Sequence, residues 1–177
     1  QHIYKANEAI VALLRETGLL YEERLKQAET AFERYLEAFS LAPMADVVRE
    51  DVERVAPGVS GWDRVVAGYT KAIEAADVED DQIDLRMNLG RVLTQIAKVP
   101  EAIRQFRSVY EVRNDHAEAI AALGGLYRQT NRYPELLEIY DRRIELEGDS
   151  DARKQLAYER AALFENELAD ADSAVKA

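Results

Sequence analysis

Apolar residues recur at helical spacing through the middle of the chain, with charged residues between them. From position 83 to 96 they are Leu85, Leu89, Val92, Leu93 and Ile96, which places them on one face of a helix. No segment alternates apolar and polar residues for long enough to indicate a strand. The pattern therefore predicts an all-α protein.

Short motifs return 34 positions apart. Leu-Gly occurs at 89–90 and again at 123–124, and Pro-Glu occurs at 100–101 and again at 134–135. A fixed period of this length is typical of a solenoid built from two-helix repeats. We expect helices that begin near 83, 100, 117 and 134 and pair as antiparallel hairpins.

The same frame extends to both ends of the chain. Repeat position 20 recurs at separations of 34, 37, 34 and 38, as Ala31, Val65, Ala102, Leu136 and Ala174. This frame divides one domain into about four and a half repeats, approximately 1–43, 44–77, 83–116, 117–150 and an incomplete 152–177. Because Ala174 falls at position 20, we expect the chain to stop within a second helix and to be a piece of a longer repeat protein.

Individual residues support this frame. Gly90 and Gly124 stand at position 8, where a small residue lets the two helices of a repeat approach despite a propensity cost of about 1 kcal/mol. Pro100 and Pro134 stand just inside the second helix, where the missing N–H costs nothing. Trp62, the only tryptophan, is expected to begin a second helix and pack over the turn, like Val99 and Tyr133. The segment 3–15 is expected to be the first helix of the first repeat, with Ile10, Leu13 and Leu14 facing inward, or the end of a preceding repeat.

The repeat resembles the tetratricopeptide repeat. The family pattern of Leu-Gly-x-x-Tyr, followed by further apolar and aromatic positions in the second helix, is met most fully at 117–150 by Leu123, Gly124, Tyr127, Leu136 and Tyr140. The resemblance implies a right-handed α-solenoid of antiparallel helix pairs. It also implies a non-enzymatic adaptor or scaffold that binds a protein or peptide partner without a cofactor.

In such folds the concave groove is lined by positions 2, 5, 9, 12 and 13 of the first helix. In the two clearest repeats these are Asp84, Met87, Arg91, Thr94, Gln95, Glu118, Ala121, Gly125, Arg128 and Gln129. With the edge residues Lys98 and Arg132, the candidate partner-binding set is Arg91, Gln95, Lys98, Arg128, Gln129 and Arg132. Such side chains suit a partner segment that is acidic or ends in a carboxylate. The alternative is that they are solvated surface residues.

Charge and composition argue against several other classes of function. The net charge of −11 argues against nucleic acid as a partner. The absence of cysteine excludes disulfides and thiolate chemistry and fits either cytoplasm or periplasm. No apolar run is long enough to insert into a membrane. Nucleophile, phosphate-loop and zinc-protease motifs are absent, so no catalytic site is predicted.

No metal site is predicted either. His2 and His116 are far apart in the sequence, and neither has a second ligand at metal-binding spacing. The acidic stretch 79–84 lacks the ligand order of a calcium loop, so Asp80 or Asp81 is expected to cap the next helix. One alternative function stays open, namely self-assembly into a homo-oligomeric scaffold through the convex face or the open repeat ends.

Overall fold

A computed structural model describes the backbone of residues 2–176 and the side chains of residues 7–165. Within residues 2–176 the chain forms nine α-helices and one 3-10 helix, and no strand, so the all-α prediction is confirmed. The α-helices are α1 (His2–Glu23), α2 (Ala28–Leu41), α3 (Asp46–Val55), α4 (Trp62–Ala75), α5 (Glu79–Gln95), α6 (Val99–Val112), α7 (Ala117–Gln129), α8 (Tyr133–Leu146) and α9 (Ser150–Lys176), with the 3-10 helix at Ala56–Val59 after α3.

The helices form two compact units, Gln1–Lys98 and Val99–Ala177, here called unit 1 and unit 2. In unit 1, α2 packs against α1, α3 and α4, and α4 packs against α5. In unit 2, α7 packs against α6 and α8, and α8 packs against α9. Each core is therefore built between neighbouring helices, as expected for a chain of helical repeats. The assignment of all repeats to one domain remains a prediction.

Most predicted helix starts agree with the structure. The helices α6, α7 and α8 begin at 99, 117 and 133, each within one residue of its prediction. The helix α5 instead begins at Glu79, and its N-cap residue Val78 makes no side-chain cap. Asp80 and Asp81 lie inside the first turn of α5, so the prediction that one of them caps the helix was wrong. Negative charges in a first turn stabilise it through the positive end of the helix dipole.

The second helices α4, α6 and α8 begin at Trp62, Val99 and Tyr133, the three residues that the repeat frame aligned. Pro100 and Pro134 are the second residues of α6 and α8, as predicted. His116 is a structural residue, because its Nδ1 accepts a hydrogen bond of 3.3 Å from the Ala119 amide at the start of α7.

Every turn between the two helices of a repeat contains one residue in the left-handed conformation. These residues are Lys26, Ser60, Ala97 and Asn131, with φ between 51° and 60°. Their separations of 34, 37 and 34 residues match those of repeat position 20. After three of them the next amide bonds back to the carbonyl five residues earlier: Gly61 to Ala56 at 2.8 Å, Lys98 to Leu93 at 2.8 Å and Arg132 to Tyr127 at 2.9 Å. This Schellman geometry satisfies carbonyl groups at the end of the first helix.

Two expectations at the ends of the chain were wrong. Ile10 and Leu13 do not face inward, since 46% and 63% of their surfaces are exposed. The helix α9 continues unbroken from Ser150 to Lys176, so no separate second helix begins before Ala174. Residues 150–176 contain no glycine or proline that would end a helix. The Ala174 side chain itself, like that of His2, lies outside the described residues.

Glycine lets aromatic rings sit against neighbouring helices in unit 1. A Cβ atom at Gly18 of α1 would lie 2.5 Å from Tyr35 Cε1 of α2, and one at Gly68 of α4 would lie 2.9 Å from Phe39 Cε1. These distances are too short for any side chain, and both rings are buried. In unit 2 a Cβ atom at Gly124 would lie an ordinary 3.5 Å from Ile139 Cγ2, so Gly124 does face the second helix of its repeat.

The Tyr35 hydroxyl anchors a polar cluster at the edge of the unit 1 core. It donates a hydrogen bond of 2.9 Å to Glu22 of α1. The Glu22 carboxylate also accepts hydrogen bonds from both terminal nitrogens of Arg54 in α3. The hydrogen bond from Arg54 holds the pKa of Glu22 below its ordinary value. Burial, reinforced by the nearby Glu22 carboxylate, raises the pKa of Tyr35 to about 12. This cluster ties three helices together.

Ala97→Gly should stabilise the protein. A left-handed alanine costs roughly 1–2 kcal/mol, and glycine removes that cost while losing about 0.5–1 kcal/mol of chain entropy. We expect a net gain of about 0.5–1 kcal/mol in the free energy of unfolding, measured by urea denaturation. The matched control is Ala67→Gly at an exposed site within α4, which should cost about 1 kcal/mol. Equal effects at the two sites would contradict the turn geometry.

Glu22→Gln should destabilise the protein at neutral pH by about 1 kcal/mol or less, because the cluster is partly exposed. The pKa of Glu22 is lowered in the folded state, so its stabilisation is present above the unfolded pKa, near 4.5. It is lost as the pH falls through the folded pKa. We therefore expect the wild-type and variant unfolding curves to converge below about pH 4.5. Glu23→Gln, at the exposed neighbour, is the control and should show no such convergence.

Candidate functional site

The predicted partner-binding residues of unit 1 lie at the end of α5 and just after it. Arg91 and Gln95 are exposed, and the Arg91 guanidinium donates a hydrogen bond of 2.5 Å to Asn88 Oδ1. Lys98 forms an ion pair of 2.7 Å with Asp63, and this hydrogen bond lowers the pKa of the Asp63 carboxyl. Met87 is buried, so the expectation that it lines a groove was wrong.

The corresponding residues of unit 2 lie at the end of α7 and in the following turn. Arg128 and Gln129 are exposed on α7. Arg132 donates from Nε to Glu135 Oε1 at 2.8 Å and lies 4.9 Å from the centre of the Tyr127 ring. The hydrogen bond from Arg132 lowers the pKa of Glu135. Lys98 and Arg132 therefore already have carboxylate partners within their own units.

Arg128 instead borders a cavity of about 580 Å³ formed by α7, α8 and α9, here called the unit 2 groove. Its lining comprises Asp115, Ala117, Ile120, Ala121, Gly124, Gly125, Arg128, Leu136, Ile139, Tyr140, Arg143, Leu146, Glu147 and Leu156. Ala121, Gly125 and Arg128 are three of the five groove positions predicted for this repeat. The cavity lies within the size range of ordinary ligand-binding pockets.

The floor of the unit 2 groove is apolar and follows α8. Leu136, Ile139, Tyr140 and Leu146 lie along one face of that helix, and Leu156 approaches from α9. On the α7 side Gly125 leaves open space, since a Cβ atom there would have no neighbour within 4 Å. An apolar floor with an open wall can accept side chains from another molecule.

Both arginines of the groove, Arg128 and Arg143, contact Tyr140. The Arg128 guanidinium donates a hydrogen bond to its hydroxyl, which in turn donates to Glu159 of α9 at 3.3 Å. The guanidinium carbons of Arg128 and Arg143 lie 6.0 Å and 5.6 Å from the centre of the Tyr140 ring. Cation–π contacts of this kind orient arginine side chains without neutralising their charge.

The same tyrosine position has acidic partners in unit 1. Tyr35 and Tyr69 are at repeat position 24, like Tyr140, and they donate hydrogen bonds to Glu22 and Glu53 of the first helix in their own repeats. In the repeat at 117–150 the first helix supplies Arg128 in place of a glutamate. In this repeat the first helix therefore supplies a basic partner for the tyrosine hydroxyl, and the acidic partner, Glu159, comes from α9.

Four charged residues line the unit 2 groove, namely Arg128, Arg143, Asp115 and Glu147. Within residues 7–165 none of the four forms an ion pair, whereas nearby Arg107 and Arg160 pair with Glu138 and Asp141. Unneutralised charges beside an apolar surface are available to complementary charges on another molecule.

Sequence reasoning missed Arg143, Tyr140 and the acidic end of this groove. It assigned the groove chiefly to first-helix positions, whereas six of the fourteen lining residues belong to α8 or directly follow it. One signal was readable: Leu136, Ile139, Tyr140 and Arg143 are spaced at three or four residues and therefore share a helix face.

The described part of the chain contains neither a candidate metal site nor a membrane-spanning helix. No group of three histidine, cysteine or acidic side chains there could hold a metal ion. No helix in that part is long and apolar enough to cross a membrane.

Solved structures with the same fold identify its class. A tetratricopeptide repeat protein from Parabacteroides merdae ATCC 43184 matches 89% of this chain with 16% sequence identity and a TM-score of 0.55. This chain spans 61% of the length of that protein. A structure of MamA AMB-1 matches 79% of this chain and 75% of its own, with 23% identity and a TM-score of 0.50. No protein-family model and no curated protein matches the sequence. The chain thus has the all-α solenoid fold of tetratricopeptide repeat proteins, which confirms the predicted resemblance at the level of the fold.

Tyr140→Phe should weaken the connection between α7, α8 and α9 while keeping the buried ring. Loss of a hydroxyl that both accepts and donates a hydrogen bond is expected to cost about 0.5–1.5 kcal/mol in the free energy of unfolding. Thermal denaturation would measure it, with Tyr158→Phe as the control because the Tyr158 side chain is 72% exposed. An unchanged thermal midpoint for Tyr140→Phe would show that the hydroxyl makes no net contribution to the stability of the folded state.

Proposed function

We propose that this chain is a non-enzymatic protein-interaction module and that it binds an acidic partner segment in the unit 2 groove. The observation that carries the proposal is the pair Arg128 and Arg143, held against Tyr140 above an apolar floor and free of ion pairs within residues 7–165. A carboxylate beside these two guanidinium groups would gain charge-assisted hydrogen bonds. The apolar floor would contribute by burying a neighbouring side chain of the partner.

The predicted residues contribute unequally to this proposal. Arg128 is central to it, and Gln129 lies beside it on α7. Lys98 and Arg132 would have to exchange an existing carboxylate partner for a new one, which reduces any net gain. Arg91 and Gln95 remain candidates for binding a partner on unit 1.

Self-assembly remains the second candidate function, supported by one observation. Ile10, Leu13 and Leu20 on α1 are all exposed, and their spacing of three and seven residues gives an apolar strip on one helix face. Exposed apolar strips of this kind mark contact surfaces. Sedimentation over a concentration series would detect such self-association, and it should be carried out before any binding experiment.

Arg128→Ala should weaken the binding of an acidic peptide. The experiment uses fluorescence anisotropy with labelled acidic, neutral and basic peptides that share one apolar sequence. We expect micromolar affinity for the acidic peptide, on the order of −8 kcal/mol. Loss of a charge-assisted contact worth roughly 1.5–3 kcal/mol should lower that affinity about 10- to 100-fold. Salt should weaken the wild-type interaction, because screening shortens from about 30 Å at low salt to about 3 Å at 1 M.

The matched control is Arg104→Ala. Arg104 is an exposed arginine of α6 in the same unit and does not line the groove. If the acidic peptide binds wild type, Arg128→Ala and Arg104→Ala with equal affinity, the groove is not the binding site. If none of the three peptides binds, the proposed function is wrong.

A further inference from the structure

The polar side chains around Tyr140 form one hydrogen-bonded chain across three helices. Arg128 of α7 donates to the Tyr140 hydroxyl, which donates to Glu159 of α9 at 3.3 Å. Gln155, one turn earlier on α9, donates from Nε2 to the other carboxylate oxygen of Glu159 at 3.1 Å. All four side chains line a second cavity of about 460 Å³, which shares Arg128 and Tyr140 with the unit 2 groove. Glu159 is therefore the acidic group connected to the groove arginine.

Hydrogen-bond chemistry fixes the direction of this chain. A guanidinium group can only donate and an ionised carboxylate can only accept, whereas a phenol hydroxyl has a single hydrogen. The Tyr140 hydroxyl must therefore accept from Arg128 and donate to Glu159. The two hydrogen bonds, 2.5 Å and 3.3 Å long, keep the two charged groups within about 6 Å of each other, a distance at which charges near a protein surface still interact appreciably.

The other arginine of the groove has different surroundings. Arg143 lies in the last turn of α8, one turn before Glu147. It lies against the Tyr140 ring, but within residues 7–165 it takes no part in the hydrogen bonds that link the hydroxyl to Glu159. Glu159 therefore acts on the charge of Arg128 in particular.

We propose that Glu159 makes the Arg128 site selective for a singly charged carboxylate over a doubly charged group such as a phosphorylated side chain. The inference rests on the proposed function, since it specifies which acidic group the same groove accepts. Without Glu159, arginines beside an open apolar surface would favour a phosphoryl group, which carries about −1.5 to −2 charges and three acceptor oxygens. With Glu159 in place, the second charge brings no gain in affinity.

The physical reason is that repulsion from Glu159 grows with the charge of the ligand. Coulomb energy is proportional to each charge, so the same carboxylate penalises a dianion about twice as much as a monoanion. A doubly charged group also loses more hydration when it leaves water. These two costs oppose the stronger attraction of a dianion to Arg128. Glu159→Gln removes the first cost and keeps a side-chain oxygen that can accept the Tyr140 hydroxyl.

Three labelled peptides that share one apolar sequence test the inference by fluorescence anisotropy. They differ at one residue, which is glutamate, phosphoserine or O-sulfoserine, whose sulfate ester has the shape of a phosphate but a single charge. We expect the three to bind wild type with affinities within about threefold of one another. In Glu159→Gln the phosphoserine peptide should bind about tenfold more tightly than the glutamate peptide, a ratio that corresponds to 1.4 kcal/mol. The sulfoserine peptide should follow the glutamate peptide in both proteins.

The matched control is Glu165→Gln. Glu165 is an exposed glutamate of the same helix and lines neither cavity. This variant should keep the wild-type ratio of affinities. Equal thermal midpoints of wild type and Glu159→Gln would confirm that the fold is retained. The comparison of the phosphoserine and glutamate peptides on wild type tests the inference without any variant.

Each outcome decides one of the two proposals. If wild type already prefers the phosphoserine peptide tenfold, or if Glu159→Gln leaves the ratio unchanged, Glu159 does not set the selectivity, even where Arg128→Ala weakens binding. If the sulfoserine peptide gains as much as the phosphoserine peptide in Glu159→Gln, the selection depends on shape and the inference is wrong. If binding of every peptide is insensitive to Arg128→Ala, the proposed function fails together with this inference.

Discussion

A buried tyrosine whose hydroxyl reaches a charged side chain holds the helices of three repeats together. Tyr35 and Tyr69 donate to Glu22 and Glu53, while Tyr140 accepts from Arg128. Each ring is buried, and its polar end requires a partner because an unsatisfied hydroxyl would be costly. Burial, with the Glu53 hydrogen bond as a second cause, raises the pKa of Tyr69 well above its usual range. The first helix supplies an acidic partner to Tyr35 and Tyr69 and a basic one to Tyr140.

The fold was largely predictable from the sequence, because the repeat frame depends on residue types whose physical role is local. Proline at the start of α6 and α8 and the apolar face of α5 define helices whatever lies around them. The full length of α9 was not predicted. A turn was expected there because the repeat frame was extended to Ala174, although no residue in the segment favours the end of a helix. The inward-facing Ile10 and Leu13 were wrong for a related reason: an apolar face indicates a contact surface but not whether that surface is covered.

The groove was predicted only in part. Exposure of Arg128 follows from its position on α7, but the contacts of several other surface arginines depend on residues more than 10 positions away in the sequence. Arg107 reaches Glu138, and Arg142 reaches the carbonyl and side-chain oxygens of Asn114. A distant carboxylate such as Glu138 neutralises one arginine and leaves another charged, and the sequence around each arginine does not show which. Net charge over a segment is therefore a poor guide to the charge that a partner would meet.

The left-handed turns leave the repeats free to change in sequence while the backbone keeps its conformation. Lysine, serine, alanine and asparagine adopt the same backbone conformation at the same place in four successive repeats, and none of them is glycine. A conformational cost of about 1–2 kcal/mol per turn can be met by the packing of the two helices that it joins. The turn thus constrains backbone geometry without constraining residue identity. Repeats built in this way can exchange most of their residues and keep their shape, which is consistent with a shared fold at 16% and 23% sequence identity.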